Sequence, residues 1–276
     1  MELKQVLTIA GSDSGGGAGI QADIKTFQEL SVFGTSVITA VTAQNTLGVT
    51  DVAPVPLNNI QKQLEAIGED FEIAALKTGM LFDAETIELV AKYIKHYNWQ
   101  NLIVDPVMIA KGGASLLKEE ASEALIMDLL PLAAVVTPNI PEAEALSNIR
   151  IHDEESRMEA AKAILSTGVR GILIKGGHGK ESDFAEDFYL DRHGRMLILR
   201  APRKKTNQTH GTGCTFSAAL AAEFAKGKSI EEAFFIAKQF VHAAITNPLN
   251  IGAGHGPTNH AAYRSNSSKE SIQYVQ

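Results

Sequence analysis

The 276-residue sequence has few cysteines, no excess of positive charge and no long hydrophobic run. Its single cysteine, Cys214, excludes an intramolecular disulfide and a four-cysteine zinc site. With 25 basic and 32 acidic residues the formal net charge is −7, which argues against a protein that binds duplex DNA. The apolar run 125–136 is interrupted by Asp128 and Pro131, so no membrane span is predicted. The first residues lack the apolar stretch of a signal peptide, and we expect a cytoplasmic protein.

The hydrophobic residues form short apolar runs that alternate with amphipathic stretches. Six continuous runs are typical of buried parallel strands: 6–10, 37–41, 73–76, 102–104, 133–136 and 171–174. Apolar residues at helical spacing predict helices around 20–30, 87–94, 216–224 and 230–245, and a hairpin is predicted from 184–190 and 196–199. This alternation indicates an α/β layered fold with a mostly parallel sheet. No Pro/Gly/Ser-rich linker divides the chain, so we expect one domain over 1–264 and a polar, flexible tail over 265–276.

Glycine-rich or polar segments begin where several apolar runs end. They start at Gly11, Asp105, Asn139, Lys175 and Gly211. In open α/β sheets, ligands bind beyond the carboxyl ends of the strands. We therefore predict that the chemistry of this protein is concentrated in these segments.

The glycine-rich segment 11–19 lies between a predicted strand and a predicted helix. Glycines allow backbone N–H groups to approach and wrap a ligand. Gly17 stands where a Walker A loop requires lysine, and the segment does not match the G-x-G-x-x-G dinucleotide fingerprint. We favour a ligand-binding loop, with a tight strand-to-helix connection as the alternative.

A second turn, 211–215, places two glycines before a helix. The free N–H groups of the first helical turn could hold an anion such as a phosphate during transfer. The alternative is a helix start that glycine merely eases. Cys214 lies in this turn, where the helix dipole is expected to lower the pKa of its thiol. Its alternative is a small buried side chain.

Eight segments together resemble the ribokinase-like vitamin kinases, specifically the hydroxymethylpyrimidine and phosphomethylpyrimidine kinases of thiamine biosynthesis. They occur in family order: 7–13, 16–23, 43–49, 77–81, 105–108, 137–144, 175–178 and 209–215. The resemblance extends from about residue 6 to about residue 260, so the tail from Ser265 lies outside it.

The resemblance implies a three-layer α/β/α sandwich that uses ATP with Mg²⁺ as its donor. The implied reaction phosphorylates the hydroxymethyl group of 4-amino-5-hydroxymethyl-2-methylpyrimidine and then the monophosphate, giving the diphosphate. The implied partners are therefore small molecules, with no nucleic acid or membrane among them. Members of the family are often dimers, so a homodimer is expected.

The resemblance also assigns residues to the substrate. It places Gln44 in the substrate pocket, where a side-chain amide offers a donor and an acceptor that match an aminopyrimidine. Asp23 is expected to contact the substrate hydroxyl, although its position alone would suggest a solvated helix face. Gly11, Met80 and Val107 are expected to line the same pocket. Met80 and Val107 could equally be core residues.

The turn 211–215, called the phosphate turn below, contains the implied catalytic residues. The wider ribokinase-like group usually has an aspartate base at the position of Cys214. We hypothesise that Cys214 accepts the proton of the substrate hydroxyl. The backbone at Gly211 and Gly213 is expected to stabilise charge on the transferring phosphoryl group.

Two acidic residues, Asp105 and Glu142, are the expected Mg²⁺ ligands, since magnesium takes one or two carboxylates and keeps several waters. The spacing Asn139-x-x-Glu142 also fits a capping box, and both uses can coexist. Lys175 is expected to neutralise nucleotide phosphates, with an ordinary strand-end lysine as the alternative. Further nucleotide contacts are expected from Asn139, Gly177, Thr209 and Thr212.

Two other functions remain open. A pyridoxal kinase of the same fold would share the Cys-containing turn, and the segment 43–48 favours the pyrimidine type. A non-catalytic vitamin-binding protein would need a damaged phosphate turn or lost acidic residues. Neither change is present in the sequence.

Overall fold

The computed structural model describes residues 3–108, 119–176, 183–265 and 272–275. Ten strands are found in these ranges: β1 Gln5–Asp13, β2 Phe33–Asn45, β3 Gly48–Pro54, β4 Ile73–Thr78, β5 Leu102–Val104, β6 Ala133–Val136, β7 Gly171–Ile174, β8 Phe184–Asp191, β9 Met196–Pro202 and β10 Gln273–Val275. They form one sheet in the order β10-β9-β8-β7-β6-β5-β4-β1-β2-β3.

The centre of the sheet is parallel. Strand β1 pairs in parallel with β2 and β4, and parallel pairing continues through β5, β6 and β7. Antiparallel strands flank this centre, with β3 on one side and the β8–β9 hairpin and β10 on the other. The mostly parallel sheet and the predicted hairpin are thus confirmed.

The α-helices of the described residues are α1 Gly19–Glu29, α2 Leu57–Asp70, α3 Ala84–His96, α4 Glu119–Ala124, α5 Ile140–Ser147, α6 Glu154–Leu165, α7 Thr212–Ala225, α8 Ile230–Thr246 and α9 Ala262–Ser265, and a π-helical turn, Leu125–Leu129, and a 3₁₀ turn, Leu130–Leu132, follow α4. Several begin at side-chain caps. Asp83 caps α3, and capping boxes start α5, α6 and α8. These caps bind first-turn N–H groups that would otherwise have no intrahelical partner.

The sheet is covered on both faces, as the alternation along β5 illustrates. Leu102 and Val104 pack in one hydrophobic cluster with side chains of α2–α6, whereas Ile103 packs in the other with α1, α7 and α8. Phe234 and Phe240 of α8 are completely buried in this second cluster. The three-layer α/β/α sandwich is therefore confirmed.

The structure also differs from the sequence-based expectations. Strand β3 and helices α2 and α6 were not predicted. Strand β3 is largely exposed, and α6 buries mainly small side chains, so neither has a strong apolar pattern. Helix α2 does have apolar residues at helical spacing, Leu57, Ile60, Leu64 and Ile67, and this signal was not used. The end of the tail, expected to be flexible, forms β10. There Tyr274 stacks on Phe235 of α8 with ring centroids 5.6 Å apart. Within the described ranges, every helix is too short or too polar to cross a bilayer.

Candidate active site

A cleft of about 770 Å³ opens at the carboxyl ends of the parallel strands. The predicted site residues that line it are Gly11, Gln44, Met80, Asp105, Val107, Asn139, Glu142, Lys175, Thr209, Gly211, Thr212, Gly213 and Cys214. Asp23 is not part of its wall, and Gly177 lies outside the described residues. The topology thus brings residues far apart in sequence into a single site.

A largely buried ion pair of Asp105 and Lys175 lines the cleft. Asp105 follows β5 directly, and its Oδ1 accepts a hydrogen bond from Lys175 Nζ at 2.9 Å. Ser217 of α7 donates to Asp105 Oδ2 at 3.2 Å. Burial alone would raise the pKa of Asp105, but Lys175 and Lys77 outweigh it and lower the pKa. Asp105 is therefore an anion beside a lysine ammonium.

Glu142, in the same cleft, makes two hydrogen bonds with Asn139. Its Oε2 accepts from the backbone N–H of Asn139 at 2.8 Å, and Asn139 Oδ1 accepts from the N–H of Glu142 at 2.9 Å. This is the predicted capping box of α5. Burial raises the pKa of Glu142 to about 7, with Lys175 opposing the shift and Asp105 adding to it. Glu142 is therefore poised to ionise near neutral pH when a cation approaches.

The two carboxylates of the cleft are too few to hold a metal ion by protein ligands alone, but they are sufficient for magnesium. Among the residues that the structure describes, no group of three or more His, Cys, Asp or Glu side chains could hold a metal ion. Two carboxylates, Asp105 and Glu142, nevertheless line the same cleft. Because Mg²⁺ commonly takes one or two carboxylates and completes its shell with water and substrate phosphates, these residues are compatible with it.

Helix α7 begins in this cleft with a close backbone contact. Gly211, its N-cap, has a φ of +84°, and a Cβ there would lie 1.7 Å from the carbonyl oxygen of Gly17. Only glycine fits this position. Two residues on, a Cβ on Gly213 would lie 3.3 Å from Lys175 Nζ. The first turn of α7 therefore adjoins the Asp105–Lys175 pair, where its N–H groups favour a bound anion.

The expected low pKa of Cys214 is wrong. Burial raises the pKa of the thiol to about 11; Lys77 opposes this shift, and the carboxylates of Asp23 and Asp105 add to it. The dipole of α7 does not compensate for desolvation and nearby negative charge. At neutral pH Cys214 is therefore a thiol, and the argument for it as a proton acceptor loses its basis.

The glycine-rich loop wraps a side chain of the protein itself. Asp13, at the end of β1, accepts hydrogen bonds from the backbone N–H groups of Gly15, Gly17 and Ala18 at 2.8, 3.1 and 2.8 Å. The expectation that these N–H groups wrap a ligand is therefore corrected. The sequence could not distinguish an internal carboxylate from an external anion.

Asp23 also differs from its expected position. Its carboxylate is completely buried and accepts from Lys77 Nζ at 2.9 and 3.0 Å and from Thr8 Oγ1 at 2.6 Å. Lys77, at the end of β4, lies between it and the cleft, which Lys77 lines. The predicted contact of Asp23 with the substrate hydroxyl is thus replaced by an ion pair. The lysine at the end of an apolar strand was the signal that sequence reasoning did not use.

The part of the cleft around Gln44 and Met80 is suited to a small ring. Gly11 packs against Met80 so closely that a Cβ there would lie 2.5 Å from Met80 Cε. Gln44, near the end of β2, has its amide beside Thr42 Oγ1 and His210 Nε2, at 3.2 and 3.3 Å. This part of the cleft therefore combines an apolar wall with a side-chain amide.

Comparison with known proteins identifies the family. The family model described as Phosphomethylpyrimidine kinase matches residues 13–259. The chain belongs to this family. It is 60% identical to the hydroxymethylpyrimidine/phosphomethylpyrimidine kinase of Haemophilus influenzae over 263 residues, which cover 95% of this chain and 98% of that protein. The resemblance inferred from the eight sequence segments is therefore confirmed.

Solved kinase structures have the same fold. The pyridoxal kinase of Staphylococcus aureus in complex with AMP-PCP and pyridoxal matches with a TM-score of 0.87 and 39% identity, covering 99% of this chain and 98% of that chain. The phosphomethylpyrimidine kinase of Clostridium difficile matches with a TM-score of 0.77 and 42% identity, covering 87% of this chain and 98% of that chain. The expected ribokinase-like fold of this kinase is confirmed.

Proposed function

We propose that the chain transfers the γ-phosphoryl group of ATP to the hydroxymethyl group of 4-amino-5-hydroxymethyl-2-methylpyrimidine. A second transfer, to the resulting monophosphate, gives the diphosphate used for thiamine. The observation that carries the proposal is that one cleft holds both the Gln44 amide and the first turn of α7. A ring recogniser and an anion site are the two parts that this reaction requires. The family membership supports the same substrate class.

We assign different residues of the cleft to the ring, to the phosphoryl group and to the nucleotide. Gln44 binds the aminopyrimidine edge against Met80 and Val107. The N–H groups at Gly211 and Gly213 stabilise charge on the phosphoryl group during transfer, and Lys175 adds a positive charge beside them. Asn139, Thr209 and Thr212 also line the cleft, and we assign them to the nucleotide.

Asp105 and Glu142 would hold Mg²⁺, which neutralises phosphate charge when bound. Lys175 contacts Asp105 and would turn its ammonium toward a bound nucleotide. Phosphoryl transfer passes through a loose transition state that needs little base assistance early. The hydroxyl proton therefore leaves late and passes to an oxygen of the transferred phosphoryl group, and Cys214 contacts the hydroxymethyl group as a thiol.

Pyridoxal is a second candidate substrate. The likeness to a pyridoxal kinase solved with pyridoxal, at 39% identity, favours it. Pyridoxal also carries a hydroxymethyl group on a nitrogen heterocycle, so it could reach the same phosphate turn. It lacks the ring amine that a side-chain amide at position 44 would recognise, and we expect slower turnover of pyridoxal.

The test is release of ADP from ATP and Mg²⁺ with three acceptors in parallel: the hydroxymethylpyrimidine, its monophosphate and pyridoxal. The proposal requires turnover of both pyrimidine species, with pyridoxal much slower. Turnover of pyridoxal alone would move the assignment to the second candidate. Binding of the pyrimidine with no ADP formed would restore the non-catalytic alternative.

We also propose that the protein is a cytoplasmic homodimer. Val41 and Leu47, on or beside the β2–β3 hairpin, are 48% and 75% exposed, as is common in surfaces covered by a second copy. A homodimer through this hairpin would account for them, and light scattering after gel filtration measures it. A cytoplasmic location is consistent with a lone cysteine kept as a thiol.

A further inference from the structure

Three polar side chains in the part of the cleft around Gln44 are linked in a row. His210 Nε2 lies 2.8 Å from Asp13 Oδ2 and 3.3 Å from the Gln44 side-chain nitrogen. His210 and Asp13 are 12% and 4% exposed, so water competes little for these contacts. None of the roles derived above uses His210.

The charge on Asp13 decides which way the His210 hydrogen bond runs. Burial alone would raise the pKa of Asp13, but the bonds from His210 and from the N–H groups of Gly15 and Ala18 outweigh it and lower the pKa. Asp13 is therefore a carboxylate, which only accepts hydrogen bonds. It follows that His210 Nε2 carries a hydrogen and donates it to Asp13.

A protonated Nε2 constrains the Gln44 amide. The NH₂ group of Gln44 cannot donate to a nitrogen that is itself a donor, so the favourable arrangement directs the carbonyl oxygen to His210. The single Nε2 hydrogen is then shared in a three-centre hydrogen bond, with Asp13 at 2.8 Å as the short branch and the Gln44 amide at 3.3 Å as the long one. The NH₂ group then faces Thr42 Oγ1, which can accept because its own hydrogen goes to the carbonyl oxygen of Ser12 at 3.0 Å. The two ends of an amide have nearly the same shape, so partners such as these decide its orientation.

We propose that His210, held by Asp13, is a positioning residue that fixes the orientation of the Gln44 amide and thereby selects substrates with a ring amine. One lone pair of the Gln44 oxygen and one hydrogen of its nitrogen remain for the ligand. The hydroxymethyl group must lie at the α7 turn, so the ring has one orientation and matches one order of donor and acceptor. This inference rests on the proposed function.

The backbone of His210 is anchored independently of its side chain. Its N–H donates to the Gly256 carbonyl at 3.0 Å, and its carbonyl accepts from the Thr258 N–H at 3.2 Å. Substituting the imidazole should therefore leave the adjacent Gly211 turn in place. This makes side-chain variants of His210 informative.

The activity test compares two acceptors that differ only in the 4-amino group of the hydroxymethylpyrimidine. The measured quantity is the ratio of kcat/KM with and without that amine. We expect His210→Leu to lower the ratio about 10-fold or more, the size of a misplaced hydrogen-bond pair, mainly through KM. His210→Gln keeps an N–H donor at a similar reach and should restore the ratio to within about threefold. An equal loss on both acceptors in His210→Leu would overturn the proposal.

A second measurement needs neither turnover nor a variant. Long-range ¹H–¹⁵N NMR of the wild-type protein reports which imidazole nitrogen of His210 carries hydrogen. A protonated Nε2 is the expected result, and an unprotonated Nε2 would overturn the proposal even if the pyrimidine is the substrate. If instead Nε2 is protonated and no pyrimidine is phosphorylated, the proposed function fails while the geometry of the Asp13–His210 pair stands.

Discussion

Lys77 Nζ lies 2.9 and 3.0 Å from the two carboxylate oxygens of Asp23, and neither side chain is exposed to solvent. Burial alone would lower the pKa of Lys77, but Asp23, Cys214 and Asp105 outweigh it and raise the pKa. The lysine is therefore a fixed positive charge at the wall of the cleft. We interpret it as part of the environment that stabilises the transferring phosphoryl group.

The first prediction concerns this pair. Lys77→Met leaves the Asp23 carboxylate buried without its partner, and the free energy of unfolding should fall by about 3–5 kcal/mol in urea denaturation. The double variant Lys77→Met/Asp23→Leu removes both charges and should recover part of that loss. Lys62→Met, at the solvent-exposed Lys62–Glu65 pair, is the control and should change the free energy of unfolding very little. Equal stability of Lys77→Met and the wild type would contradict a buried ion pair.

The second prediction concerns Cys214, whose thiol has a pKa of about 11. Thiolate is the nucleophile, so alkylation by iodoacetamide at pH 8 should be slower than for a free cysteine by on the order of 100-fold. Since burial also slows access, the decisive readout is the pH dependence, which should rise until about pH 11. The chain has one cysteine, so mass spectrometry reads the site directly. A rate that levels off near pH 7 would restore the thiolate hypothesis.

Much of the fold could be predicted because its signals are local. Buried parallel strands appear as continuous apolar runs, and the capping box at Asn139 and Glu142 is a short spacing in the sequence. The carboxyl ends of parallel strands meet at one sheet edge, so Asp105 and Lys175 were expected to lie together, and their 2.9 Å contact follows from that topology.

The features that could not be predicted are ion pairs and hydrogen bonds between residues that are far apart in sequence. Asp23 looks like an ordinary acid in a helix until β4 places Lys77 against it. The pKa of Cys214 is set by burial and by the carboxylates of Asp23 and Asp105, which are far from it in sequence, more than by the helix dipole. The glycine loop binds Asp13 where a ligand was expected, since the sequence shows donors without showing their acceptor.

The third prediction separates backbone strain from steric contact at the phosphate turn. Gly211 and Gly227 both have positive φ, +84° and +78°, so alanine at either costs about 1 kcal/mol in backbone strain. Only at Gly211 does the new Cβ meet another chain segment, 1.7 Å from the Gly17 oxygen. Gly211→Ala should therefore displace the turn and lower kcat/KM for ATP by on the order of 100-fold or more. Gly227→Ala should change stability only; comparable activity loss in both variants would refute the assignment of this turn.

The last prediction uses the raised pKa of Glu142, about 7 against an ordinary value of 4.5. Between these values the folded protein keeps a proton that the unfolded chain has released. Stability from this group is thus fully present below pH 4.5 and is lost as pH rises through 7. Glu142→Gln never ionises, so its advantage in unfolding free energy over the wild type should grow from pH 5 to pH 8. The limit is about 3 kcal/mol.

Glu154→Gln, at an exposed position of α6, supplies the matched control and should show no such trend. Nucleotide with Mg²⁺ should reverse the effect, because a bound cation favours the ionised carboxylate that burial disfavours. With saturating MgADP the wild type should therefore gain more stability at pH 8 than Glu142→Gln does. An equal gain in both proteins would mean that Glu142 acts as the cap of α5 and does not hold the metal.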